Sequence, residues 1–362
     1  MNPRERYLRA MRFEPVDRVP VMEMGFWDDT VERWHGEGLP GWVATFHDLE
    51  DYLGLDRSWN CNWLPIDEQI YPPFEVKVLE ETETEQVISD AVGVVYRQRK
   101  HLKTIPHYIR FPVQDEADYE RLRPRLNGAD AGRYPADFDA ELQRRWDDGE
   151  IIGVSFPSFF GFPRGLMGFE NLCLAFHEQP HLVRRMIADR LQFAKELYSR
   201  VLATGRLNFV QIWEDMAYTA GPIISPRMVR EFMLPAYEEL VACFRAGGVE
   251  LIMVDSDGDM RSLLPIWMEA GVDGVHPCEI AAHCDPLNFR RRYPRCRLHG
   301  GMDKRVVALG REGVDAELRR VLPLLREGAY IPSIDHFVPP DISYDTYRHY
   351  VERRRELSAR QV

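Results

Sequence analysis

The chain has 362 residues, 45% of them hydrophobic, which suffices for one large core or two modest ones and argues against intrinsic disorder. Its 58 acidic against 46 basic side chains leave a formal charge of −12, which speaks against a general nucleic-acid or anionic-membrane binder. Six cysteines without a framework spacing, no apolar run of roughly 18 to 20 residues and an opening Met1-Asn2-Pro3-Arg4 without a signal-peptide core lead us to expect a cytoplasmic protein with reduced thiols.

In chain order, a helix signal over residues 3–12 precedes a strand over 18–22 (Arg-Val-Pro-Val-Met), and 54–59 offers another strand before a Trp-rich turn. Residues 74–111 behave differently. Val76-Lys77-Val78-Leu79 and Val94-Val95-Tyr96-Arg97, set about the turn Asp90-Ala91-Val92-Gly93, predict antiparallel hairpins. Polar helices over 115–127 and 135–148 follow, so about 73–148 reads as an insertion in a single domain of 362 residues that no Gly-, Ser- or Pro-rich linker divides.

From about residue 150 short apolar runs alternate with long amphipathic ones, the pattern of parallel strands joined by helices. The strands fall at 151–155, 208–213, 250–254, 272–276, 297–300 and 329–332. Helix signals include 181–204, 225–246 (Ser225 as cap, Pro226 at the first position, Gly247-Gly248 as stop) and 314–326. With the two upstream strands this makes eight, and the expected α/β fold is a (β/α)8 TIM barrel with an N-terminal hairpin and helical elaboration. A doubly wound open sheet is the alternative, although no G-x-G-x-x-G or G-x-x-x-x-G-K-[ST] loop follows any strand.

Barrel enzymes carry their chemistry where strands end. Here the ends read Glu214-Asp215-Met216-Ala217-Tyr218, Asp255-Ser256-Asp257-Gly258-Asp259, Pro277-Cys278-Glu279, Gly301-Met302-Asp303-Lys304-Arg305 and Ser333-Ile334-Asp335-His336. A thiol, carboxylates and an imidazole at one mouth match zinc, which makes Asp257, Cys278 and His336 candidate ligands and Glu214, Asp255, Glu279 and His336 candidate catalytic groups. Each has a plainer reading. Cys278 fits a buried small hydrophobe, Asp257 a helix cap, Glu214 a buried partner of a base, and His336 an acid or donor to substrate. Core positions in the barrel wall are expected for His276 and His299, and packing for Cys284 and Cys296. Asp303 reads equally as a cap or, with Lys304-Arg305, as part of an anion site. Aromatics crowd the same rim: Phe26-Trp27, Trp59, Trp63, Phe156, Phe159, Phe160, Trp213 and Tyr218. Many belong to the core, yet a planar apolar ligand stacking on Phe26, Trp27, Phe159, Trp213 and Tyr218 fits the pattern.

Pro3-Arg4-Glu5-Arg6, Phe13-Glu14-Pro15-Val16-Asp17-Arg18-Val19-Pro20, Gly168-Phe169-Glu170, Asp255-Ser256-Asp257-Gly258-Asp259, Gly300-Gly301-Met302-Asp303-Lys304-Arg305 and Asp335-His336-Phe337-Val338-Pro339-Pro340-Asp341 together resemble the uroporphyrinogen decarboxylase superfamily over nearly the whole chain. The resemblance implies a (β/α)8 barrel and one of two activities: porphyrinogen decarboxylation, or methyl transfer between a small substrate and a corrinoid protein. Decarboxylases of the family carry R-Q-A-G-R after the first strand, where this chain has Glu23-Met24-Gly25-Phe26-Trp27-Asp28-Asp29, so a polycarboxylate would meet acids and aromatics. Thiol-directed methyltransferases hold zinc on H-x-C-G and a late cysteine, positions that fall here on Asp255, Asp257 and His336. Members that demethylate aryl methyl ethers have harder, oxygen-rich ligand sets, and this chain looks most like those.

The expectation is therefore a zinc-dependent methyltransferase moving a methyl group from a small methylated aromatic to cobalt. No D-x-H-x-x-G stretch is present, so cobalamin would arrive on a separate corrinoid protein. Dimerisation is left open. The competing readings are a metal-free lyase of the decarboxylase type and a non-catalytic binding barrel.

Overall fold

The computed structural model describes residues 1–58, 62–100 and 106–359. The predicted Trp59 at the rim, the end of the 54–59 strand and Cys61 lie outside them. In chain order the helices are α1 (Pro3–Met11), α2 (Asp28–Gly36), α3 (Phe46–Leu53), α4 (Glu116–Leu122), α5 (Phe138–Asp147), α6 (Gly161–Met167), α7 (Phe169–Glu178), α8 (Pro180–Leu202), α9 (Pro226–Phe232), α10 (Leu234–Ala246), α11 (Leu264–Glu269), α12 (Pro286–Arg292), α13 (Lys304–Val307), α14 (Arg311–Glu327) and α15 (Tyr344–Ala359). The strands are β1 (Lys77–Glu81), β2 (Glu85–Ser89), β3 (Val95–Arg99), β4 (His107–Arg110), β5 (Gly153–Pro157), β6 (Phe209–Trp213), β7 (Ala217–Tyr218), β8 (Gly221–Pro222), β9 (Leu251–Asp255), β10 (Gly274–His276), β11 (Arg297–His299) and β12 (Tyr330–Ile331).

Six parallel strands run β5-β6-β9-β10-β11-β12, in chain order and without the reversal that a doubly wound sheet requires. Two extended segments complete the ring. Leu64 N–H donates to Gly153 O at 2.9 Å on the β5 side, and Asp56 N–H to Val21 O at 2.9 Å joins the two segments. On the other side Val338 N–H donates to Gly25 O at 2.9 Å, tying the first segment to the chain beyond β12. The expected strand over 18–22 is thus a stave of the barrel but not a regular strand, because Pro20 has no N–H for a ladder. The fold is a (β/α)8 barrel.

Side-chain alternation separates two apolar clusters. Ile252 and Val254 of β9 and Val210 and Ile212 of β6 face the surrounding helices. Leu251, Met253 and Phe209 face inward with Met22 and Ile331, and Tyr7, Leu8 and Met11 of α1 join them, so α1 plugs the floor of the barrel. That helix forms because Asn2 accepts the Glu5 N–H at 2.8 Å and Pro3 fills the first turn, where no donor is needed. The helix predicted over 225–246 breaks at Met233, since Pro235 has no N–H to continue it.

Strands β1, β2, β3 and β4 form an antiparallel sheet in that order, with the Asp90 carboxylate accepting the N–H groups of Val92 (2.9 Å) and Val94 (2.8 Å) in its central turn. Among the described residues no helix is long and apolar enough to cross a membrane.

Candidate active site

Alternation carries Asp255, the last residue of β9, into the barrel interior above Met253 and Leu251. Gln211 Nε2 donates to Asp255 Oδ2 at 2.7 Å, and His276 Nδ1 lies 3.8 Å from Oδ1. Burial holds the Asp255 carboxyl far above the usual carboxylate range, and the nearby charges of Asp215 and Asp257 push it the same way. Both effects disfavour its charged form. His276 is pushed down to about 3 by burial, so its imidazole is neutral. Its ring centroid stands 6.0 Å from that of His299, which burial and then His276 hold well below the ordinary value. The Tyr7 hydroxyl lies 3.2 Å from His299 Nε2. Both histidines were expected in the wall. They are buried, but the outward turn of Val275 and Leu298 aims them at the axis, where they form a polar column from floor to mouth.

Above Asp255 the loops gather further charge. Asp257 Oδ2 lies 3.3 Å from His336 Nε2, while its Oδ1 is buried without a hydrogen-bond partner. Burial alone would lower the His336 pKa, yet the hydrogen bond to Asp257 and its charge carry it above the ordinary imidazole value. Trp27 stacks on His336, with centroids 5.9 Å apart and planes 20° apart. Asp215 takes a left-handed φ of +46° and accepts the Asp257 N–H at 3.3 Å. Arg164 donates to Asp215 O at 2.7 Å, and its guanidinium sits 4.9 Å over the Trp213 ring. Burial, then Asp257, raises the Asp215 carboxyl. Glu279 accepts the Gly258 N–H at 3.0 Å and the Lys304 ammonium at 3.1 Å. Lys304 also lies 3.6 Å from the buried Asp335.

Asp255, Asp257, Glu279, His336, Trp27, Trp213 and Tyr218 thus meet at or beside the mouth, and four predicted residues do not. Glu214 faces outward, its oxygens occupied by the N–H groups of Phe159 (3.1 Å), Phe160 (2.7 Å) and Gly161 (3.0 Å) and by the Tyr237 hydroxyl (2.5 Å). It anchors the loop after β5. Phe159 is fully buried against Tyr237, with ring centroids 5.0 Å apart. Cys278 takes φ +61° after Pro277, which ends the strand alternation, and its Sγ turns back to Val275 O at 3.8 Å within the outer core. Phe26 packs chiefly on Trp34, Phe46 and Tyr347, a structural rather than a ligand-facing position. Asp303 is a cap, accepting the Arg305 N–H at 3.0 Å, and Trp63 stacks on Phe209 inside the barrel.

The zinc ligand set does not assemble. With Cys278 turned away and Glu279 held by Lys304 and Gly258, Asp257 and His336 are two donors where a catalytic zinc uses about three. Among the described residues no three His, Cys, Asp or Glu side chains come together as a metal site.

The residues not anticipated are Asp215, Arg164 and Gln211. Period-2 alternation from Phe209 marks Gln211 and Trp213 as inward, a signal present in the sequence, while Asp215 lies past the end of β6 at φ +46°, where alternation does not apply. Arg164 carried none, since only folding brings α6 over Trp213.

A cavity of about 1070 Å³ adjoins this group, between the barrel rim at Arg164, Trp213 and Tyr218 and the inserted sheet at Tyr108 and Ile109.

Residues 86–357 match the family described as Uroporphyrinogen decarboxylase (URO-D). Among solved structures, a methyltransferase from Methanosarcina mazei is similar with a TM-score of 0.59 and 13% identity, covering 98% of this chain and 99% of that one. No protein of curated function matches the sequence.

Proposed function

The chain belongs to the uroporphyrinogen decarboxylase family, and on that premise we propose that it transfers a methyl group from a small methylated donor, an aryl methyl ether, to the cobalt of a separate corrinoid protein. The observation that carries this reading is the acid group at the open end of the barrel: a buried Asp255 whose carboxyl is pushed above the usual carboxylate range, and a His336 imidazole held by Asp257 and stacked on Trp27. The carboxylates Asp215, Asp257 and Glu279 make the same mouth a poor host for a polycarboxylate.

Aryl ethers resist attack at the methyl carbon because phenolate is a poor leaving group. The reduced corrinoid supplies the nucleophile. As the methyl carbon to oxygen bond breaks, its electron pair stays on the oxygen and the His336 imidazolium gives that oxygen a proton, so phenol departs instead of phenolate. Asp257 orients the ring and favours its charged form. Asp255, whose burial disfavours its charged form, limits the negative charge beside the developing one. Proton donation here fills the part first expected of zinc.

The test mixes the protein with reduced corrinoid protein and methoxyarenes and follows methylcobalt formation by absorbance. Transfer that persists after chelation and falls on the order of 10²- to 10⁴-fold in His336→Ala agrees with the proposal. Absence of transfer from methoxyarenes, thioethers, methylamines and methyl halides alike would refute it.

A further inference from the structure

The end of β6 and the start of α6 hold each other from both sides. Glu214 turns outward and takes the N–H groups of Phe159, Phe160 and Gly161. One residue later Asp215 gives its carbonyl oxygen to Nη1 of Arg164, from the same helix, at 2.7 Å. Gly161 permits the close approach: a Cβ there would stand 2.7 Å from the Trp213 ring and 2.8 Å from the Trp213 carbonyl oxygen. The Arg164 guanidinium then closes over that ring, 4.9 Å from its centre.

What this clasp holds is the turn at Asp215, whose φ of +46° is costly for a residue with a Cβ and persists only where its surroundings fix it. With the carbonyl oxygen tied to Arg164, the carboxylate is left to the neighbouring loop, where Oδ1 accepts the Asp257 N–H at 3.3 Å. Nη2 of Arg164 stands 3.5 Å from Asp215 Oδ2, too far for a firm hydrogen bond, so the hold is chiefly on the carbonyl. Two more bonds stitch the same loops, Met216 N–H to Ser256 Oγ at 3.2 Å and Asp259 N–H to Tyr218 O at 2.7 Å. The chain ends at the acid, with Asp257 Oδ2 3.3 Å from His336 Nε2. We propose that Arg164 is a positioning residue for this acid: through Asp215 it fixes the Asp257 turn, and through that turn the Asp257–His336 pair. The inference rests on the methyl-transfer reading for what His336 does, and on the contacts alone for where it is held. Loss of Arg164 leaves the other two stitches in place, so it displaces the acid without opening the barrel. A displaced acid costs rate and leaves ground-state binding largely as it was.

Three variants of the full chain test it, each checked for folding by circular dichroism. Arg164→Met keeps an apolar stem over Trp213 but no donor, Arg164→Lys restores a donor for the Asp215 carbonyl, and Asp215→Ala removes the acceptor of the Asp257 N–H. With reduced corrinoid protein and a methoxyarene, Arg164→Met is expected to lower kcat about tenfold to a hundredfold, with KM changed by less than about threefold. Arg164→Lys should recover part of the loss. Arg164→Met combined with Asp215→Ala should be no slower than the slower single variant, because both break one chain of contacts. A second readout needs no turnover: diethyl pyrocarbonate modifies a neutral, unbonded imidazole, and mass spectrometry of the His336 peptide gives the rate. That rate should rise several-fold in Arg164→Met and in Asp215→Ala. If Arg164→Met does not fold, Arg164→Lys takes its place in both comparisons. An unchanged rate of His336 modification in the folded Arg164 variant, or single losses of kcat that multiply in the double variant, overturns the inference. Faster modification of His336 without transfer from any donor refutes the methyl-transfer reading and leaves its placement by Arg164 standing.

Discussion

The pKa values of His336 and Asp255 are raised for different reasons, and each makes a prediction of its own. The raised pKa of His336 depends on Asp257, with burial opposing it. An acid role predicts activity that falls as pH rises through that raised value. In Asp257→Asn only the weaker influence of Glu279 still opposes burial, so the alkaline limb of the kcat profile should move to lower pH, a shift that a purely structural role of Asp257 would not produce. For Asp255 the sign is set by burial: a carboxyl whose folded pKa lies above its ordinary 3.8 contributes stability below that value and loses it as pH rises through the folded pKa. Asp255→Asn is therefore expected to raise the melting temperature at pH 8 relative to the wild type, with the gain shrinking towards pH 4. Equal gains at both pH values would show that Asp255 is ionised in the fold.

The loop after β5 shows how an element is positioned by a residue that looks catalytic in sequence. Glu214 satisfies three consecutive backbone donors of residues 159–161 at the start of α6, the helix that carries Arg164. Glu214→Ala leaves those donors without their acceptor at about 1–3 kcal/mol for each one that stays unpaired, so urea unfolding should show a loss of several kcal/mol, with Glu214→Gln retaining part of it. Gly258, two residues beyond Ser256, holds φ +80°, and a Cβ there would come 2.4 Å from Ala217 O. Gly258→Ala should displace the Asp257 turn and depress methyl transfer more than it depresses stability. The hairpins were legible at this scale, because alternation and the Asp90 turn are local signals. Breaks such as that at Met233 were equally local, yet the Pro235 signal was absorbed into one long amphipathic stretch.

At the scale of the whole molecule the ring is closed by contacts between its two ends. Glu23, in the first stave, accepts the Ile334 N–H at 3.0 Å and pairs with Arg354 of α15 at 2.5 Å, both side chains buried. Burial pushes the Glu23 carboxyl up to about 7 in spite of Arg354. Since Ile334 lies two residues before His336, this pair bears on the site as well as on the fold. Arg354→Ala is expected to cost about 3–5 kcal/mol by stranding the carboxyl, while the double change Glu23→Met with Arg354→Met should recover much of that loss. Urea denaturation of the three variants checks both expectations.

The alternation of strands and helices beyond residue 150 and the inserted hairpins were determined by the sequence alone, because period-2 and period-3.6 patterning act over a few residues and each element carries its own, whereas closure of the sheet into a barrel rests on contacts between its two ends. Which strand-end groups meet was decided only by the tertiary structure. Cys278 lies two residues past β10 and His336 five past β12, but a left-handed φ and a turn back to Val275 O sent one into the outer core, while a loop anchored by Asp335 and Glu23 brought the other over Asp257. Beyond the last ladder hydrogen bond alternation no longer dictates direction, and packing between residues remote in the chain takes over.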